Sequence, residues 1–474
     1  MRLFIIFLWA VAAVMCNAAP AFAAELPTGD YTSHWLGYVA IGLFVLAYIF
    51  VIFEETVHLR KSKPVMVAAG LIWMLVATVY NMHDRSEDTA VLLRHNLLEY
   101  AELTLFLMAA MTYINTLSDR KVFQALRGFL VSCGFSYRAL YWIVGLLAFF
   151  MSPIADNLTT ALVLGAVALA VGAGNPTFIT LSCINVVVAA NSGGAFSPFG
   201  DITTLMVWQK GHVNFFEFFE LFVPSVVSWL VPAALMSLGI KGSGKPAPLK
   251  ENVEVKYGGY VITVLFLLTI CLTVTLHQVF HLPPFLGMMT GLGFLKIYGY
   301  FVRRAELKEW EGYPAVPDSS LKPAHKPFDI FISMKRVEWD TLMFFYGIIL
   351  CVGGLGALGY LAELAQFFYV GVGTTEANIL VGILSAIIDN IPVMFAVLTM
   401  NPDMTHNQWL LVTLTAGIGG SMLSIGSAAG VALMGQARGV YTFFSHLKWT
   451  WAIALGYAAG IWTHIFLNGL GPAS

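Results

Sequence analysis

The sequence predicts an all-α polytopic membrane protein: ten crossing helices plus two re-entrant hairpins, set in an inverted repeat with two broken helices. Three observations carry that prediction. Of 474 residues, 58% are hydrophobic and only 11% charged, where a soluble domain has about 25% charged. Apolar runs of about 20 residues, the length needed to cross a bilayer, recur along a chain whose mean hydropathy is +0.77. Two of those runs carry the same polar interruption. Charge this sparse cannot coat a water-facing surface, which excludes a soluble multidomain protein and a disordered one. The net charge of −2 gives no electrostatic basis for nucleic-acid binding.

Residues 1–23 hold one basic residue, Arg2, an apolar run from Leu3 to Met15 and the small-x-small site Ala21-Phe22-Ala23. This pattern predicts a cleavable signal peptide, with an uncleaved helix as the alternative. Cys16 follows Met15, where lipidation would need a small residue. Cys133, Cys183, Cys271 and Cys351 are widely spaced, so no pair points to a metal or redox site and packing is the expectation.

The apolar runs lie at about 35–53, 65–81, 96–116, 139–172, 177–209, 217–240, 259–281, 284–302, 341–360, 376–400, 409–435 and 449–468. Runs 139–172 and 376–400 carry Asp156-Asn157 and Asp389-Asn390 at their centres. Polar groups and non-helical backbone at that depth must face protein or a water-filled cavity, so each run is read as a hairpin that enters and leaves on one side. The basic residues test this. With two hairpins and a periplasmic mature N-terminus, most of the 25 basic residues fall in inner loops: Arg60, Lys61 and Lys63; Arg120 to Arg138; Lys241 to Lys256; the 303–340 stretch; Arg438 and Lys448. Arg85, Arg94 and Lys210 fall outside. Making either hairpin a full crossing inverts loops and breaks the positive-inside pattern.

The organisation expected is therefore a signal at 1–23, N-terminal helices at 24–95, a first repeat at 96–240, linking helices and a cytoplasmic loop at 241–340, and a second repeat at 341–474. Each hairpin (139–172, 376–400) precedes a broken helix (177–209, 409–435). The first hairpin reads Ser152-Pro-Ile-Ala-Asp156-Asn157-Leu-Thr159-Thr160 and the second Ser385-Ala-Ile-Ile-Asp389-Asn390-Ile-Pro392. The breaks are the polar, Gly-rich stretches 191–201 and 419–427. Opposite entry of the two hairpins implies an in-plane pseudo-two-fold, the architecture of secondary transporters with midplane sites.

The groups expected to converge are Asp156, Asn157, Asn191, Ser197, Asp201, Thr203, Thr204, Asp389, Asn390, Ser424 and Ser427. Interrupted helices free backbone carbonyls, and Asn, Ser and Thr add neutral oxygens, a set suited to a hard cation such as Na⁺. Asp156, Asn157, Asp389 and Asn390 are the expected Na⁺ ligands. No Arg or Lys is expected nearby, so three carboxylates would repel an anion. Burial raises a carboxylate's proton affinity, and competition between H⁺ and Na⁺ at one carboxylate gives exchange. Asp156 and Asp389 have an alternative role, shaping the hairpin tips, and Asp201 as the cap of a half-helix from Ile202. Glu102 is a candidate proton relay; Glu99 and His95 lie nearby. Asp340 reads as an interfacial cap, Glu54 and Glu55 as solvated, and His212 as an exposed loop histidine or a pH-sensitive group.

At these motifs the sequence resembles the NhaD-type sodium/proton antiporters of the ion transporter superfamily, on the first hairpin, residues 191–204, residues 385–392 and the Gly-Ser-Met-Leu-Ser424-Ile-Gly-Ser427 break. The resemblance implies exchange of Na⁺ or Li⁺ for H⁺ in the bacterial inner membrane, with no cofactor and no enzymatic activity. Similar dicarboxylate carriers suggest an elevator motion and a homodimer. Those carriers have Ser-Asn-Thr at the hairpin tips, whereas this chain has Asp-Asn at both. The rival transport reading is a sodium-coupled anion symporter. An intramembrane aspartic peptidase would need two carboxyls sharing a proton, and Pro198-Phe199-Gly200-Asp201 lacks its Gly-x-Gly-Asp pattern.

Overall fold

Hydropathy sets the helices and polar caps set their ends in this computed structural model. It describes residues 27–52, 54–57, 59–172, 174–240, 253–311 and 328–470. The signal segment at 1–23, with Cys16, and the basic residues Lys241, Lys245, Lys250, Lys322 and Lys326 lie outside the described residues. Every regular element among the described residues is helical. The principal helices are α1 (Trp35–Ile52), α2 (Ser62–Met82), α3 (Ser86–Asp119), α4 (Tyr137–Ala155), α5 (Asn157–Val171), α6 (Pro176–Gly194), α7 (Ile202–Gln209) and α8 (Phe222–Ser237). The second part continues with α9 (Gly259–Phe280), α10 (Pro284–Glu311), α11 (Trp339–Ala357), α12 (Thr374–Ile387), α13 (Asn390–Met400), α14 (His406–Gly419), α15 (Ala428–Gln436) and α16 (Thr450–Asn468).

Among the described residues, ten helices are long and apolar enough to cross a membrane. They differ from the ten expected crossings at two places. The first arm of the 139–172 run, α4, qualifies by itself, while the broken run at 409–435 does not, because neither α14 nor α15 is long enough. Helix α3 is also far longer than its apolar run at 96–116. Its polar first turns continue as helix, with Arg85 and Asp88 paired at 2.6 Å. The 303–340 stretch is partly ordered as helix: α10 runs on to Glu311, and Ile330–Lys335 forms a further short helix.

Each Asp-Asn run folds as two helices packed on each other. Helices α4 and α6 run side by side in the same direction: Asn185 Nδ2 at the middle of α6 donates to the Tyr141 carbonyl in the first half of α4 (2.9 Å), and Ser152 Oγ donates to the Ala190 carbonyl (2.7 Å) near the ends of both. The Tyr137 and Phe178 rings lie 4.8 Å apart, so α5 returns the chain to the end from which α4 left. Helices α12 and α14 repeat the pattern. Gln408 Nε2 donates to Thr375 Oγ1 (2.7 Å), and Asn378 Nδ2 to Gln408 Oε1 (2.8 Å), near the starts of both helices. Ser385 Oγ then donates to the Ala416 carbonyl (2.8 Å) near their ends.

Local sequence explains where these elements begin. Ser136 caps α4 at Ala139, Asn175 caps α6 at Phe178 with Pro176 in the first turn, and Thr405 caps α14 at Gln408. Such side-chain oxygens satisfy backbone donors that the helix leaves unpaired. Close approach needs glycine at matching points. A Cβ on Gly193 would run into the Phe149 carbonyl, and one on Gly419 into the Gly382 carbonyl. Helix α6 is buried along nearly its whole length, which makes it the centre of the molecule, whereas α1 and α9 present most of their surface outward.

Candidate functional site

The two hairpin tips and the two helix breaks meet around one carboxylate, that of Asp201. Asp201 caps α7, accepting from Thr203 N at 3.0 Å. Its other oxygen accepts two amides, from Asn157 Nδ2 (2.9 Å) and from Asn390 Nδ2 (3.0 Å). One amide comes from each hairpin tip. Asn157 Nδ2 also donates to Asn191 Oδ1 (3.0 Å), and Asn191 Nδ2 donates to Ser427 Oγ (3.0 Å). Ser427 in turn caps α15 at Gly430. The hydrogen-bonded chain Ser427–Asn191–Asn157–Asp201–Asn390 thus links both breaks and both tips. Asp201 thus takes the capping place read for it as the alternative, and it does so at the centre of this chain.

The remaining predicted groups frame this chain. Ser197 Oγ donates to the Pro153 carbonyl (2.9 Å), pinning the first break to the first hairpin. Thr204 Oγ1 donates to the carbonyls of Ser197 (2.8 Å) and Asp201 (2.7 Å), closing the turn of the break. Thr203 Oγ1 and Ser424 Oγ are buried with no hydrogen-bond partner, and a buried hydroxyl left unpaired is costly.

Asp156, Asp201 and Asp389 all line one cavity of about 60 Å³, yet they are not one tight cluster. Among the described residues no group of three His, Cys, Asp or Glu side chains is placed to hold a metal ion. Asp156, in a positive-φ conformation (φ 59), turns back on its own helix, accepting from Thr159 N (2.7 Å) and Thr159 Oγ1 (2.9 Å). It shapes the tip as well as facing the cavity. Asp389 caps α13 weakly, at 3.5 Å from Ile391 N.

The expectation that no basic residue approaches the carboxylates is overturned. Lys61 Nζ lies 3.3 Å from Asp389 Oδ2 and lines the same cavity. The sequence places Lys61 in an inner loop; the start of α2 folds against a hairpin tip 328 residues away in sequence, and no local pattern signals that contact. The cavity still carries three carboxylates against one ammonium, so the charge balance continues to favour a cation. Sequence reasoning also left Ser152 and Ser385 out of the site. Both occupy the same place in the duplicated Ser-x-x-x-Asp-Asn motif, the signal that would have found them, and both tie a hairpin to its broken helix.

The peripheral candidates resolve as follows. Glu99 pairs with His95 at 2.8 Å and with Lys210, and Glu102 lines a cavity beside them. Asp340 accepts from Ser62 Oγ at 2.5 Å, which joins α2 to α11 rather than capping a helix end. His212 is not a freely exposed loop residue: its ring stacks on Trp409 at 3.7 Å, with its pKa pushed down first by burial and then by Lys210. Cys183 and Cys351 are buried, as packing residues would be, but Cys133 and Cys271 are exposed.

Paired helical hairpins meeting interrupted helices around a polar, acidic centre, in a chain with this many apolar helices, define a multi-pass membrane transport protein. A sequence-family model described as "Citrate transporter" matches residues 48–417. The "Na(+)/H(+) antiporter NhaD" of Alkalimonas amylolytica is 55% identical over 462 residues, covering 95% of each chain. That of Vibrio cholerae is 53% identical over 460 residues, covering 95% of this chain and 96% of its own. "Sodium/proton antiporter 1" of Arabidopsis thaliana is 33% identical over 441 residues, covering 90% of this chain and 72% of its own. The chain belongs to the citrate-transporter family and, within it, to the group of NhaD Na⁺/H⁺ antiporters.

Proposed function

We propose that this protein exchanges Na⁺, and Li⁺ by the same chemistry, for H⁺ across the bacterial inner membrane. The observation that carries the reading is the Asp201 carboxylate held by one asparagine from each hairpin tip. A negative centre shared by both tips ties the ion's occupancy to the posture of both hairpins. Asn191 and Ser427 continue the hydrogen-bonded chain from it, and the two breaks hold buried hydroxyls without a partner at Thr203 and Ser424; neutral oxygens of this kind are the donors a hard monovalent cation takes. A carboxylate withdrawn from water holds a proton more tightly than one in solvent. A cavity that neutralises its acids with either Na⁺ or H⁺, but not both, converts competition into exchange.

The hairpins are read as re-entrant and the repeats as inverted. Each hairpin returns to its starting end, and the end of α15 packs against the first hairpin, with Gln436 Nε2 donating to the Leu162 carbonyl at 3.2 Å. A second cavity of about 180 Å³ reaches Asp156 past Asn115, Ser118 and Arg336, at the end of α3 that the basic residues put in the cytoplasm. This supports an inward-open posture; the elevator cycle and the homodimer are carried by family likeness, and the periplasmic N-terminus by the distribution of basic residues. The anion-symport alternative is disfavoured by the excess negative charge of the cavity.

The test is fluorescence dequenching of an imposed pH gradient in everted vesicles, adding Na⁺, Li⁺, K⁺ and citrate separately. Dequenching by Na⁺ and Li⁺ is expected. A response that requires citrate overturns the antiport reading.

A further inference from the structure

The two hairpin tips hold their aspartates differently. At the first, Thr159 supplies both its N–H and its hydroxyl to Asp156. At the second, Pro392 stands in the corresponding place, and proline has neither an N–H nor a hydroxyl. Asp389 is left with the 3.5 Å contact to Ile391 N and the 3.3 Å contact to Lys61 Nζ. Its principal partner is therefore a cation from a different part of the fold.

Lys61 is held on that other side. It stands at the N-terminus of α2, its ammonium 4.5 Å from the centre of the Phe344 ring on α11. The adjacent Ser62 bonds to Asp340 at the start of α11, so α2 and α11 together aim the lysine at the tip. The pair is only partly covered, with 20% of the Lys61 side chain and 13% of the Asp389 side chain exposed. A contact this open exchanges partners readily, and Phe344 already faces the ammonium, so that losing Asp389 leaves Lys61 one favourable partner.

We propose that Lys61 is a positioning residue: a tethered cation that neutralises Asp389 while the carrier is empty and yields that place to the transported Na⁺. Two cations close to one carboxylate repel each other, so Na⁺ at Asp389 drives Lys61 off. The ion pair also joins α2 to a hairpin tip. Emptying the site latches the tip to α2 and α11, and loading it releases the tip. The device thereby opposes movement of an empty, unprotonated carrier, the step that would uncouple exchange. This inference rests on the Na⁺/H⁺ reading above and adds the residue that competes with the ion.

The experiment measures Na⁺-dependent H⁺ flux in everted vesicles across a Na⁺ series, together with radioactive Na⁺ binding to purified protein. Wild type is compared with Lys61→Gln, Lys61→Arg, Asp389→Asn and the Lys61→Gln/Asp389→Asn double variant. Removing the internal competitor lowers the Na⁺ concentration for half-maximal binding and flux by about fivefold, the size expected for a partly exposed ion pair. Lys61→Arg, which grips a carboxylate at two points, raises it. The double variant binds Na⁺ no better than Asp389→Asn alone. An unchanged or raised half-maximal Na⁺ concentration in Lys61→Gln overturns the proposal, as does a gain that persists in the double variant. Should Lys61→Gln fail to accumulate, Lys61→Arg decides, and an unchanged or lowered value there is the overturning result. Wild type that exchanges normally while these variants miss their marks sinks only the competition; wild type without Na⁺-dependent flux sinks the antiport reading itself.

Discussion

Replacing Asp201 by serine gives the first break the residue that the second break already has at Ser427. The substitution retains a hydroxyl able to cap α7, as Ser427 caps α15 at Gly430. What it removes is the oxygen that accepts from Asn157 and Asn390 at 2.9 and 3.0 Å. Asn157 keeps its bond to Asn191, so the Asn390 amide is the one orphaned, at about 1.5–3 kcal/mol for a lost hydrogen bond to a charge. The effect on the ion is larger. A unit charge about 4 Å from a cation, at an effective dielectric constant of about 20, contributes about 4 kcal/mol. That corresponds to roughly three orders of magnitude in affinity. Asp201→Ser is therefore expected to fold with reduced thermal stability and to show no Na⁺-dependent dequenching at any practical Na⁺ concentration. A half-maximal Na⁺ concentration within about tenfold of wild type, or about 1.4 kcal/mol, would refute the placement of Asp201 at the centre of the site.

Three further outcomes follow from the same geometry. Gly193→Ala and Gly419→Ala each push a methyl into a backbone carbonyl, of Phe149 and Gly382 respectively; both are expected to lose about 1–3 kcal/mol and most flux, read as melting temperature and dequenching of purified, reconstituted protein. Arg120 is 4% exposed and paired with Glu306 at 2.6 Å, so Glu306→Gln strands a buried charge and lowers stability by about 3–5 kcal/mol, whereas Arg120→Met/Glu306→Leu together recover much of the loss. His212 has a folded-state pKa below its ordinary value, chiefly through burial. Its neutral form is the one the fold prefers, so its stabilisation is complete above the ordinary histidine pKa of about 6.5 and is lost as pH falls through the lower folded value. The acid-side drop in melting temperature should shrink in His212→Gln.

The spans were legible because a bilayer imposes one simple demand, about 20 apolar residues per crossing, and composition meets it openly. The interruptions were legible for the complementary reason: Asp156-Asn157 and Asp389-Asn390 violate that demand twice in the same way. Chemistry at the centre was legible only in part. Motif repetition treats Asp156 and Asp389 as the matched pair and leaves Asp201 as an accessory, because Ser427 occupies the corresponding place in the second break. The fold reverses that ranking. Both asparagines, Asn157 and Asn390, come to one point, and a single carboxylate can stand there where two would repel.

Lys61 shows where a linear pattern stops. Its charge and its place beside Arg60 and Lys63 are fully accounted for by membrane orientation, and nothing within its own helix asks for a partner. The clue lay in the opposite repeat, where Pro392 replaces Thr159 and withdraws the local donors that satisfy Asp156. An acid whose own helix offers only the 3.5 Å contact from Ile391 N is left to a partner from elsewhere, either a proton, a metal cation or a distant ammonium. The asymmetry between two otherwise matched tips thus carries more mechanistic information than their likeness. The first tip is satisfied from within, while the second is open to exchange of its cation.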